Sequence, residues 1–250
     1  MTVAREVMRQ LPKEKIFYLG DTARCPYGPR PLQEVRTYTW NMIHYLLEKD
    51  VKLLVIACNT ATAAVLEEAQ EKLDIPVVGV IHPGARAAIK VTNNRQIGVI
   101  GTVGTINSGA YVNALHSIDS KVTVHSLACP EFVPIVENGM IHDRDTLRIV
   151  HQRLTPLLDL PIDTLILGCT HYPILMPLIK RVMGKGVSII SSGEETAREV
   201  STILYYNNLL NIGDQLPEHR FYTTGSSRIF NRLSREWFDQ SVKYIEHINL

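Results

Sequence analysis

The chain has 250 residues, 45% of them hydrophobic and 20% charged, with a net charge of +1. That is enough for one large or two small domains with an ordinary buried core, and it argues against disorder. With no long basic or acidic run and no apolar stretch of transmembrane length, nothing favours a nucleic-acid or membrane partner.

Apolar runs and amphipathic segments alternate along the chain. Met1–Leu11 reads as a helix with Val3, Val7, Met8 and Leu11 on one face. With Arg5, Glu6, Arg9 and Gln10 there and no apolar region, a signal peptide is not expected. Strands are expected at Ile16–Gly20, Leu53–Ala57, Val77–Ile81, Ile97–Gly101, Val122–Leu127, Thr164–Gly168, Val187–Ile190, Phe221–Thr224 and Tyr244–Ile248. Helices are expected at Leu32–Lys49, Thr60–Lys72, Gly84–Val91, Arg144–Leu157, Tyr172–Val182, Glu194–Leu210 and Ser227–Phe238. Unalternating apolar runs bounded by turn residues suit parallel strands covered on both faces, and the βαβα order predicts an α/β fold.

Two segments share one pattern. Leu53-Leu54-Val55-Ile56-Ala57-Cys58-Asn59-Thr60 and Leu165-Ile166-Leu167-Gly168-Cys169-Thr170-His171 each run from an apolar strand through a small residue to Cys, with Thr close behind. Turn-rich boundaries near His82-Pro83-Gly84 and Ser191-Ser192-Gly193 divide the chain into residues 1–83 plus 193–250 and residues 84–192, one thiol in each. We expect two similar parallel-sheet α/β domains related by pseudo-two-fold symmetry. Ligands bind beyond the carboxyl ends of such strands, so one shared cleft is expected.

A thiol at a helix start meets free amides and the positive dipole end, which lower its pKa, and the same amides can hold a carboxylate. A lone Cys on an apolar strand is more often structural, and for Cys58 the two readings balance. Cys169 carries more, because His171 lies two residues away and Pro173 fits a helix start. The loop Asp21-Thr22-Ala23-Arg24-Cys25-Pro26-Tyr27-Gly28-Pro29-Arg30-Pro31 is stiff and follows a strand, the place for ligand contact, with Cys25 read as incidental. Gly98–Thr105 is neither a P-loop nor a dinucleotide fingerprint, although Thr102 and Thr105 could offer hydroxyls. Glu137 reads as a helix-surface carboxylate. Four scattered cysteines suggest reduced thiols in the cytoplasm, and the nine histidines show no metal-ligand spacing.

Together these residues resemble glutamate racemase, in the aspartate/glutamate racemase family. The resemblance rests on Gly20-Asp21-Thr22 with Cys25-Pro26-Tyr27-Gly28, Val55–Thr62, Pro76–Ile81, Ile97–Thr102 and Leu167–Pro173, and it runs nearly end to end. It implies cofactor-independent interconversion of L- and D-glutamate, supplying D-glutamate for peptidoglycan. Cys58 and Cys169 would be the acid/base thiols, with Cys169 taking the proton from L-glutamate and Cys58 from D-glutamate. His171 and Glu137 would assist Cys169. Asn59, Thr60, Thr170, Tyr27 and Gly28 would cradle the substrate, with Thr102, Thr105 and His171 near it. No PLP, metal or other cofactor is implied, and a homodimer is expected.

One departure stands out: Met1-Thr2-Val3 stands where the family's first helix begins, after a strand ending in Asp-Ser-Gly. The chain as written would lack that strand and the aspartate that assists the first thiol. Exposing two sheet edges would cost stability comparable with the whole folding margin of roughly 5–15 kcal/mol, so poor folding or near inactivity is expected. Rival readings are an aspartate or other amino-acid racemase, a Cys–His hydrolase built on Cys169 and His171, and a non-catalytic amino-acid-binding module.

Overall fold

The computed structural model describes residues 1–238, 242 and 244–250. In chain order the elements are α1 (Thr2–Gln10), β1 (Phe17–Gly20), α2 (Leu32–Leu47), β2 (Leu54–Ile56), α3 (Asn59–Lys72), β3 (Val77–Gly79), α4 (Ile81–Val91), β4 (Gln96–Gly101), α5 (Val103–Asn107), α6 (Ala110–Ile118) and β5 (Thr123–Ala128). Then come α7 (Phe132–Glu137), α8 (Thr146–Leu158), β6 (Thr164–Gly168), α9 (Met176–Met183), β7 (Ser188–Ser191), α10 (Ser192–Tyr206), β8 (Arg220–Thr223), α11 (Ser227–Phe238) and β9 (Ile245–His247). Every expected strand is present, and every strand pair among the described residues is parallel. The fold is α/β.

Three helices are additional to the expected set: α5, α6 and α7. Each is short and close to a glycine, so no full amphipathic period develops in the sequence. Gly109, at φ 67°, supplies the left-handed turn that separates α5 from α6. The helix expected from Tyr172 opens instead as a 3-10 turn, Tyr172–Leu175, and becomes α-helical only at Met176. Pro173 and Pro177 remove amide donors from both starts.

A four-stranded sheet has the order β5-β4-β6-β7. Its strands alternate between two cores. Ile100, Leu165 and Leu167 pack with Phe132, Leu154, Leu175 and Ile179, whereas Ile97, Val99 and Ile166 pack against Ala85, Tyr111 and Leu115. Fully burying each such aliphatic side chain stabilises by about 1.5–3 kcal/mol.

The remaining strands form two separate sheets, β1-β8-β9 and β2-β3. Among the described residues β1 pairs only with β8 and β2 only with β3. Between them lies a cavity of about 690 Å³, walled by Val3 and Val7 of α1 and Leu11 just after it, Met42, Ile43 and Leu46 of α2, and the strands β1 and β2. Helices α1 and α2 thus cover part of an apolar slot that β1 and β2 also line, together with Val200 and Leu204 of α10 and Phe230 of α11. The slot runs on to Cys58 and Cys169. No helix among the described residues is long and apolar enough to cross a membrane.

Candidate active site

Cys58 follows β2 and caps the N-terminus of α3, while Cys169 follows β6 just before the Tyr172 turn. Gly168 is required before the second thiol: a Cβ there would lie 2.8 Å from the Ile100 carbonyl and 3.0 Å from the Tyr111 ring. Both cysteines are free and line the same cavity. Burial pushes the Cys58 thiol up, opposed by the amides of Ala61 and Thr60 and by the Thr60 hydroxyl. Cys169 is pushed up to about 12, first by burial and then by the negative charges of Cys58 and Glu137, against the amides of His171 and Tyr172.

Around Cys169 the polar partners form a chain. His171 Nδ1 lies 3.7 Å from Cys169 Sγ, and His171 Nε2 lies 3.1 Å from Glu137 Oε1. Glu137 ends α7 beside the cleft, half-buried, rather than on an outer helix surface. The hydrogen bond with His171, then that from Cys25, hold its carboxyl below the usual range despite burial. Cys25, read as incidental, donates its thiol to the same Glu137 Oε1 at 3.1 Å. Trp237 stacks edge-on to His171, with centroids 5.6 Å apart, and its buried Nε1 has no partner among the described residues. Nothing in the sequence had marked Trp237.

On the Cys58 side three hydroxyls close a triangle. Thr60 Oγ1 lies 2.9 Å from Thr102 Oγ1 and 3.1 Å from Thr105 Oγ1, and the last two are 3.1 Å apart. Thr102 also caps α5. Asn59 is 2% exposed; its Oδ1 accepts from Tyr111, and its Nδ2 has no partner among the described residues. The Gly28 carbonyl accepts from the Gly104 amide at 2.8 Å, tying the 21–31 loop to the triangle.

Asp21 organises that loop. It accepts from Arg24 at 2.7 Å, from Thr224 at 2.6 Å, and from the Tyr27 hydroxyl. Tyr27 lines the cavity with its hydroxyl already engaged. Thr170 also lines it, its carbonyl accepting from Thr2 at 2.8 Å. Among the described residues, no group of three or more His, Cys, Asp or Glu side chains is arranged to hold a metal ion.

A family model described as Asp/Glu/Hydantoin racemase matches residues 2–200. The chain belongs to this family, a family of isomerases. It is 58% identical over 250 residues to a glutamate racemase of Bacillus cereus (strain ATCC 10987 / NRS 248), covering all of this chain and 93% of that relative. Among solved structures, a glutamate racemase isoform from Bacillus anthracis superposes with TM-score 0.97 at 51% identity, covering 100% of this chain and 93% of that one. Glutamate racemase from Francisella tularensis, solved with D-glutamate, superposes at 0.93 with 31% identity over 99% of this chain and 92% of its own. The two thiols, the hydroxyl triangle and the His171–Glu137 pair all line the cleft.

Proposed function

We propose that the chain interconverts L- and D-glutamate without a cofactor, moving the α-proton between Cys58 and Cys169. The observation that carries this reading is the pair of free thiols, each at the end of a parallel strand and the start of a helical turn, lining one cavity. One thiolate takes the α-proton and the other thiol returns a proton to the opposite face.

Burial favours the protonated form of both thiols. The substrate ammonium brings the positive charge that favours a thiolate. With Glu137 ionised, His171 donates from Nε2 and turns Nδ1 toward Cys169 as acceptor, so it takes the thiol proton when L-glutamate is bound. Cys58 has amides and a hydroxyl in place of such a base, and it serves the D-glutamate direction. Asn59 Nδ2 and the Thr60, Thr102 and Thr105 hydroxyls, with Thr170, Tyr27 and Gly28, form the substrate cradle. Amides at the starts of α3 and the Tyr172 turn stabilise the carboxylate as it gains enolate character.

The proposed setting is the cytoplasm, where thiols stay reduced, and the product serves peptidoglycan synthesis; the proposed assembly is a homodimer. The division into residues 1–83 plus 193–250 and residues 84–192 assigns one thiol to each half.

The deciding experiment is racemisation of each glutamate enantiomer in deuterium oxide. Deuterium is expected at the α-carbon of the product, and Cys58→Ala and Cys169→Ala are each expected to abolish racemisation. Full activity in either variant refutes the two-thiol scheme. A trapped acyl-enzyme on Cys169 would indicate a hydrolase instead.

A further inference from the structure

Cys25 enters neither half of the proposed proton transfer, yet it is one of three thiols on the cavity. Its Sγ and His171 Nε2 meet the same atom, Glu137 Oε1, each at 3.1 Å. The three groups come from three separate parts of the chain: the loop after β1, the end of α7, and the turn after β6. We propose that Cys25 is a positioning residue, whose thiol holds the Glu137 carboxylate so that the His171 ring presents Nδ1 to Cys169.

The chemistry follows from the inventory of donors. An ionised carboxylate only accepts, and a thiol and an imidazole N–H can both donate to one of its oxygens. Two donors on Oε1 fix the carboxylate's rotation and spread its charge. Glu137 then competes less well for the imidazole proton, so the proton stays on His171 Nε2 and Nδ1 remains the acceptor that Cys169 meets at 3.7 Å. The thiol suits this task because it does not ionise. Burial, then the negative charge of Glu137, hold Cys25 protonated far above the usual thiol range, with Cys58 and Cys169 adding to the effect. The titratable groups facing Glu137 are therefore His171 and Cys25, with Cys169 one step beyond. Within one cleft, two thiols ionise in turn while the third stays a donor.

The inference rests on the two-thiol reading for its effect on rate, but not for its effect on Glu137. The test therefore has two readouts on the full chain. The first is kinetic: Cys25→Ala is expected to lower kcat about tenfold for L-glutamate at nearly unchanged KM. It also moves the acid limb of the kcat/KM profile up by about one pH unit, the scale of one hydrogen bond to a charged group. Cys25→Ser, whose hydroxyl also donates, is expected to restore both. In a Glu137→Gln background, Cys25→Ala is expected to change nothing further.

The second readout is the NMR titration of the His171 ring in the same variants, which needs no turnover. Cys25→Ala is expected to shift it and Cys25→Ser to return it. Wild-type titration and pH profile in Cys25→Ala overturn the inference, as does an undiminished Cys25→Ala effect in the Glu137→Gln background. Should Cys25→Ala fail to fold, Cys25→Ser decides: a pH limb and ring titration displaced from wild type overturn the inference. A shifted ring titration with Cys58→Ala still active sinks the two-thiol reading alone.

Discussion

Gly28 and Thr102 leave no room between them. A Cβ on residue 28 would lie 2.5 Å from Thr102 Cβ and 2.8 Å from its Cγ2. Thr102 cannot retreat cheaply, because its hydroxyl holds Thr60 and Thr105 and caps α5. Gly28→Ala is therefore expected to open the hydroxyl triangle, costing about 1–3 kcal/mol by overpacking and at least about tenfold in kcat/KM. Gly186→Ala is the control, since a Cβ there meets nothing within 4 Å. Thermal melts and initial rates for the pair check it, and matching values would contradict the argument.

Asn59 Nδ2 is a buried donor with no partner among the described residues, a costly arrangement unless a ligand completes it. Asn59→Asp keeps the side chain's shape and its acceptor for Tyr111, but replaces the donor with a second acceptor and a negative charge. The KM for either glutamate enantiomer is expected to rise at least about tenfold, the scale of one charge-assisted hydrogen bond lost and a repulsion gained. Steady-state kinetics on both enantiomers test this, and an unchanged KM would remove Asn59 from the cradle.

The paired strand-ends at Cys58 and Cys169 were legible because strands and thiol motifs are local: an apolar run, a small residue, Cys, then Thr. All nine strands follow from such runs. The site's polar wiring was not legible, because it is long-range. Cys25 meets Glu137 across 112 positions, and Asn59 meets Tyr111 across 52. Tyr111 also lies on α6, a helix too short and too close to Gly109 to announce itself. Glu137 shows why residue type alone misleads. At the end of a short apolar helix it reads as a surface carboxylate, and only the approach of the Cys169–His171 turn and of the Cys25 loop gives it partners.

Alkaline pH is expected to destabilise the fold through its buried thiols. Cys129 and Cys169 are each raised from 9.0 to about 12, with burial the largest cause. Between those values the unfolded chain has released protons that the folded chain keeps, so stability falls as pH rises through that window. The slope is at most about 1.4 kcal/mol per pH unit for each thiol. Urea unfolding at pH 8, 9, 10 and 11 should show the decline. Cys129→Ala starts from lower stability, because Cys129 is wholly buried, but its decline should be shallower. An unaltered slope would mean that Cys129 titrates alike in both states.

The slot between β1 and β2 is lined by one edge of each strand. Both flanking strands run parallel to their own neighbours and have no partner toward the slot among the described residues. Apolar side chains of α1 and α2 cover part of it, and Met1 lies at its wall. Edge amides and carbonyls in such a place are a template for an extended segment. A short Val/Ile-rich strand fused ahead of Met1 is expected to enter it, raise Tm, and slow hydrogen exchange at the amides of Phe17–Gly20 and Leu54–Ile56. A Gly/Ser-rich fusion of equal length should do neither, since it brings no apolar side chains to bury. Circular dichroism, racemisation rates and exchange on the 250-residue chain and both fusions make the comparison. Equal activity and equal melting in all three would show that the slot contributes nothing to folding or to the placement of Cys58.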